Sequence, residues 1–241
     1  MTVLYPADPL FPNRIDDSFK LERAAFEAAG IHTSVKPVPG EIALYRGWML
    51  KVDEYGALEA SVKKQGAALL TSTDAYKSAH YLPEWYEKLQ DLTAETVIET
   101  PENAQAKVAE LGWPRTFVKD YVKSLKTPPG SVVVKPEDIA DVLEAMRHYR
   151  GFIEGGVCLR RFEPYLPGSE RRYFVVRGQG YAAEGDNLPD IVTTCAERLD
   201  SPFFSVDVAQ LDSGALRVVE VGDGGVSDLV GWTPKHFVSL W

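Results

Sequence analysis

Cysteine is scarce: the 241 residues contain only Cys158 and Cys195, too few for a disulfide framework and spaced unlike any metal motif. Both read as core thiols, in keeping with a reducing compartment. No apolar run approaches the ~18 residues needed to cross a bilayer. The opening MTVLYPADPL has no basic stretch ahead of an apolar one, so a cytoplasmic protein without a membrane partner is expected. The signature GxxxxGK[ST] is missing, which excludes a P-loop, and no Ser/His/Asp or Cys/His arrangement points to covalent catalysis. Positive charge is not in excess either. The net charge is −9, so broad binding to nucleic acid is not expected and any basic groove has to be local. What is present is an ordinary globular profile, 45% hydrophobic and 25% charged, sized for one large domain or two small ones.

In order along the chain, residues 3–6 suggest a strand. Asp16, Asp17 and Ser18 offer caps for a helix that Gly30 ends, and residues 31–36 form a second strand. The pattern repeats as a strand-like run EIALYRGWML (41–50), a helix over 52–64 and a strand at 67–71, which together predict a parallel α/β layer. Arg46 interrupts the second unit's first strand, either as an edge residue with its head in water or as an anion contact in a cleft. Short aromatic-rich helices fill 72–92, where His80 reads as a packed surface histidine. A boundary near residue 95 precedes a strand at 95–99 and a helix from Pro101 to Gly112.

The stretch TFVKDYVKSLK (116–126) has Phe117, Lys119, Tyr121 and Lys123 on one face if it is extended throughout. Lys119 and Lys123 would then be roughly 13 Å apart, suited to different parts of a polyphosphate. The alternative is an edge strand guarded by lysines. Lys126 opens a loop to Gly130. A helix over 136–149, with His148 at its C-terminal end, needs only a structural explanation. Arg160, Arg161, Arg171 and Arg172 then fall on two consecutive strands, a local density of phosphate-binding side chains in an acidic chain. A helix over 188–199 leads to FFSVDVAQLDSGALRVVEVGDGG (203–225), which reads as a β-hairpin. A two- or four-residue loop makes partners sum to 427 and sets Asp207 opposite Glu220. Like charges so placed repel unless a divalent cation joins them, and Asp223 could add an oxygen. A three-residue loop would instead leave a solvated hairpin with the acids on opposite faces.

The ordered set YRGWML, SAHYLPEWY, FVKDYVKSLK, ERRYFVV, FFSVDVA and VVEVGDGG covers nearly the whole chain. It resembles the ATP-grasp superfamily, in particular the clade named for two arginines and a lysine. That resemblance implies an α/β (α+β) fold with a pre-ATP-grasp domain at 1–95 and an ATP-grasp domain at 96–241, the nucleotide lying between two β-layers. It implies ATP and Mg²⁺ as cofactors. Lys119 would bind the nucleotide phosphates, Arg161, Phe162 and Glu163 would form the hinge against adenine, and Lys123 and Arg172 would contact phosphate or substrate. Lys119 and Arg172 would stabilise the transferred phosphoryl group, Asp207 and Glu220 would hold Mg²⁺ with Asp223 beside them, and Arg46 would face the cleft. Two positions depart from the pattern. Gly222 stands where many ATP-grasp enzymes carry the asparagine of a second metal site, and Leu125 replaces a basic residue, which weakens a role for Lys126. The activity implied is a carboxylate–amine ligase that activates a carboxylate as an acylphosphate, acting on a small molecule or peptide. The alternatives are another phosphoryl or nucleotidyl transfer, such as nucleic-acid end joining, and nucleotide binding without turnover. The sequence carries no sign of an oligomeric state.

Overall fold

The computed structural model describes residues 1–241 apart from the side chain of Arg150. The chain forms two compact units, one of Met1–His80, Glu170–Val208 and Glu220–Trp241, the other of Tyr81–Ser169 and Ala209–Val219. Residue 95 borders neither unit.

The first unit begins with β1 (Thr2–Leu4), α1 (Lys20–Ala28), β2 (His32–Ser34), β3 (Ile42–Tyr45), α2 (Val52–Lys64), β4 (Ala68–Leu69) and α3 (Thr73–His80). The strands form a parallel sheet in the order β2-β1-β3-β4, as the α/β pattern predicts. Gly30, at φ +76°, ends the first helical segment. The run at 41–50 is shorter than expected: β3 stops at Tyr45, and Arg46 follows it as a buried side chain.

The second unit holds α4 (Leu82–Leu89), β5 (Thr96–Glu99), α5 (Ala104–Leu111), β6 (Thr116–Asp120), β7 (Val132–Val133), α6 (Ile139–Arg150) and β8 (Val157–Arg161). Its antiparallel sheet runs β5-β8-β6-β7. Val118, Val157 and Leu159 point from this sheet into a core with Val108, Val142, Leu143 and Met146 of the two helices, the spacing of a helical apolar stripe.

Back in the first unit come β9 (Arg171–Val176), β10 (Gln179–Tyr181), α7 (Asp190–Arg198), β11 (Phe203–Gln210) as far as Val208, β12 (Leu216–Asp223) from Glu220 on, and α8 (Pro234–Val238). They add a sheet of order β10-β9-β11-β12. Phe174 and Phe203 of this sheet pack with Val3, Phe26, Leu44 and Phe237 in one core. No helix among the described residues is long and apolar enough to cross a membrane.

Candidate active site

In the first unit β11 lies beside β9 with Asp207 directly opposite Arg172. The guanidinium grips the carboxylate with both arms, Nε to Oδ1 at 2.8 Å and Nη2 to Oδ2 at 2.6 Å. Its remaining arm donates to the Asp228 carbonyl at 2.9 Å. Burial works against the charge on Arg172, but Asp207, with Glu220 and Asp228 behind it, holds the arginine above its ordinary pKa.

Glu220 shares this face. A Cβ built on Gly224 would meet the Phe203 ring at 2.6 Å, and one on Gly222 would lie 3.3 Å from Ser205 Oγ. Positions summing to 427 are therefore on one face, and alternation carries Asp207 and Glu220 there too. The turn does not set this register in the way the sequence suggests. It is closed by Gly214 N–H to Leu211 O at 2.8 Å and Leu211 N–H to Ala215 O at 2.9 Å, a three-residue loop with Gly214 at φ +87°. A pair summing to 426 at the turn and 427 at Ser205 leaves one residue unmatched between them, the count of a β-bulge.

Asp223 is not brought to this pair. Alternation sets it on the other face, wholly buried, where its Oδ1 accepts from Gly225 N–H at 2.8 Å and caps the turn Gly224–Val226. Burial pushes its carboxyl up to about 7, against the pull of the Gly225 hydrogen bond and the Arg46 charge. Arg46 fits neither of its expected roles. It is buried, donates to Glu22 Oε1 at 2.8 Å and Oε2 at 2.6 Å, and ties the Gly224 and Ser227 carbonyls to the parallel sheet. His80 is likewise buried, against the Tyr76 ring at 4.9 Å, rather than at the surface.

In the second unit Lys119 sits on β6 opposite Cys158, only 3% exposed. Burial pushes the Cys158 thiol up to about 12 despite the neighbouring charges of Lys119 and Arg160, so the thiol is neutral at ordinary pH. Lys123 is not on the strand. The chain leaves β6 at Asp120, whose Oδ1 accepts from Val122 N–H at 2.8 Å and Lys123 N–H at 2.6 Å, while Oδ2 takes Glu154 N–H at 3.2 Å. This side-chain-capped turn offers the backbone a local alternative to the extended ladder, so the alternation from Lys119 to Lys123 fails after one residue.

Arg161, Phe162 and Glu163 follow one another along a cavity of about 470 Å³ whose other walls include Tyr86, Thr93, Glu95 and Arg217. Arg161 lies 3.6 Å from Glu95, and the Arg115 guanidinium covers the Phe162 ring at 3.8 Å. Arg217 donates through Nε to Glu163 Oε1 at 3.1 Å, through Nη1 to the Asp91 carbonyl at 2.9 Å, and through Nη2 to the Thr93 carbonyl.

The sequence pattern of an ATP-grasp domain family, family 3 of the clade named for two arginines and a lysine, matches residues 54–240. The chain belongs to this family. No curated protein matches it by sequence. Among solved structures it is similar to D-cycloserine synthetase DcsG, with 16% identity, 99% of this chain and 98% of that chain covered and a TM-score of 0.65. The RimK domain protein ATP-grasp from Sphaerobacter thermophilus DSM 20745 gives 18% identity, 99% and 97% coverage and a TM-score of 0.62. The ATP-grasp ligase PsnB, complexed with a phosphomimetic variant of minimal precursor, Mg and ADP, gives 14%, 99%, 95% and 0.59. The ATP-grasp fold expected from the ordered motifs is thus the fold of this chain.

Sequence reasoning passes over several residues that this ATP-grasp chain places near the expected ones. Arg217 reads as a polar member of a strand, and nothing local marks it as the clamp on Glu163. Asp228 and Ser227 follow the recognised motif by a few residues, in a segment with no periodicity. Two carboxylates on one face beside an arginine fit Mg²⁺, which takes one or two carboxylates and completes its shell with phosphates and water. No group of three or more His, Cys, Asp or Glu side chains among the described residues forms a self-sufficient metal site.

Proposed function

We propose that this ATP-grasp protein is an ATP- and Mg²⁺-dependent ligase that joins a carboxylate to an amine by way of an acylphosphate. The observation that carries the reading is the face shared by Arg172, Asp207 and Glu220, with the guanidinium and Asp207 already in a two-armed contact. In this reading Asp207 and Glu220 would hold Mg²⁺, which when bound would supply positive charge against the phosphates. Arg172 stabilises the transferred phosphoryl group, and Lys119, held on a strand beside a neutral thiol, binds the nucleotide phosphates. Lys123 reaches phosphate or substrate from its capped turn, and Arg161 to Glu163 bound the adenine. Asp223, committed to its turn, is left out of the metal shell. A substrate carboxylate attacks the γ-phosphorus, ADP departs, and an amine then displaces phosphate from the acyl carbon. Residues 1–95 would be the pre-ATP-grasp part and 96–241 the ATP-grasp domain.

The similar PsnB structure contains Mg and ADP, which supports the cofactors proposed here, and its bound precursor supports a peptide or small molecule as the substrate. Two free, buried cysteines suit the cytoplasm. The test is the thermal midpoint with and without Mg²⁺ATP, for the native chain and for Asp207→Asn and Glu220→Gln. Ligand at ~100 times its dissociation constant adds about 2.7 kcal/mol, and either substitution should remove most of the magnesium-dependent part. A screen of carboxylate and amine pairs should then release ADP and phosphate. AMP as product would indicate nucleotidyl transfer instead, and binding with no release under any mixture would indicate a module without turnover.

A further inference from the structure

The chain leaves β6 at Asp120, and Tyr121 does not continue the strand. Its backbone is fixed from two sides: Tyr121 N–H donates to the Glu154 carbonyl at 3.2 Å, and the Tyr121 carbonyl accepts from Leu82 N–H at 2.9 Å. Its ring lies over the turn at 154–156 that leads into β8. A Cβ on Gly155 would fall within the ring, and one on Gly156 would stand 3.0 Å from both Cε1 and Oη. Tyr81 meets the ring edge-on, with centroids 6.3 Å apart, and donates its own hydroxyl to Glu154. Two adjacent glycines thus make room for one tyrosine ring, and all these residues belong to the second unit.

The Tyr121 hydroxyl is the part that this packing does not use. Among the described residues it has no hydrogen-bond partner, and the side chain is only half-buried. Burial above all, then the neighbouring acids Cys158 and Glu84, raises its pKa above the ordinary value, so it is a neutral O–H with one proton to give. Cys158 stands directly opposite Lys119, and residues so opposed carry their side chains on one face. Cys158 is therefore the common neighbour of the Lys119 ammonium and the Tyr121 hydroxyl.

β8 runs from the turn past Cys158 to Arg161. In the reading proposed above, the base lies against 161–163 and Lys119 takes the phosphates. Cys158 is three residues from Arg161, roughly 10 Å along the strand, and Gly156 is two residues further, another ~6.6 Å. This order sets Tyr121 beyond Lys119 as seen from the base, toward the end of a polyphosphate. We propose that Tyr121 Oη donates a hydrogen bond to the terminal phosphate of the nucleotide, beside Lys119. Tyr121 is then a binding residue that distinguishes a nucleoside triphosphate from a diphosphate. The inference rests on the assignment of Lys119 and the 161–163 segment to the nucleotide.

The experiment is calorimetric titration with the Mg²⁺ complexes of AMPPNP and ADP, for the native protein, Tyr121→Phe and Lys119→Met. Tyr121→Phe keeps the ring over the glycines and removes one donor, so its ligand-free thermal midpoint should stay near native. It should weaken AMPPNP by about tenfold or more, as expected for a hydrogen bond to a charged group, and leave ADP close to native. Lys119→Met should weaken both. Native AMPPNP affinity in Tyr121→Phe overturns the inference. So does an equal loss for AMPPNP and ADP, which would mark the tyrosine as packing for the turn. If the native protein binds neither nucleotide, or Lys119→Met binds both as the native protein does, the reading of the site fails first and this inference with it.

Discussion

Arg172 and Asp207, thirty-five positions apart in sequence, stand directly across two strands and meet through both guanidinium arms at 2.8 and 2.6 Å. The carboxylate that would hold the cation is therefore balanced by a cation of the protein's own. Arg172→Met leaves Asp207 as a largely buried charge, a change that typically costs about 3–5 kcal/mol when burial is complete and less here, where the arginine is 16% exposed. The variant should melt below native in a chelator and regain part of the loss at saturating Mg²⁺. Thermal midpoints with EDTA and with Mg²⁺ check this. A loss that Mg²⁺ does not touch would show that the cation does not take the place of the guanidinium.

The Arg46–Glu22 pair is more deeply buried, with side-chain exposures of 4% and 9%. Arg46→Met removes both contacts to Glu22 and the donors to the Gly224 and Ser227 carbonyls, and should cost about 3–5 kcal/mol. Adding Glu22→Gln should recover part of that, because the uncompensated carboxylate is then gone. Urea midpoints of the two single variants and the double variant measure the coupling.

Asp223 makes stability depend on pH. Its folded pKa of about 7 lies above the ordinary 3.8, so between those values the folded chain binds more protons than the unfolded one. Stability should fall as pH rises from about 4 to 7 and level off above. Asp223→Asn keeps an acceptor for Gly225 N–H without the charge. It should flatten this decline and be the more stable protein at pH 8, by about 1 kcal/mol or more. Denaturant midpoints at pH 5 and pH 8 give the answer, and parallel curves for the two proteins would refute it.

Arg217 holds Glu163 and the carbonyls of Asp91 and Thr93 at the wall of the cavity. If Arg161 to Glu163 bound the adenine, Arg217→Gln should weaken ATP binding by about tenfold, the equivalent of ~1.4 kcal/mol, and leave binding of magnesium tripolyphosphate unchanged. Equal losses for both ligands would mean that the clamp supports the unit as a whole.

The fold is legible where a pattern is local. The 52–64 helix and the parallel first sheet follow from periodicity and punctuation, and α2 has the predicted bounds. Asp207 and Glu220, expected on one face, are there, although through a three-residue turn and a bulge rather than a two- or four-residue loop. Lys123 departs from its expected place because Asp120 ends the strand with its own side chain, an event that alternation cannot register. Arg46 escapes both sequence readings because its partner, Glu22, lies on a different element and is found only through the tertiary structure. The short β10 and α8 carry too few residues for any period to show.

Phe237 of α8 packs on Phe26 of α1, with ring centroids 6.1 Å apart, and belongs to the same core as Val3. During translation every residue of the second unit, which ends at Val219, leaves the ribosome before Phe237 does. The second unit thus has its whole sequence in hand before the core of the first does. The first has to wait, with Val3, Phe26 and Leu44 exposed to chaperones for as long as the intervening residues take to be synthesised.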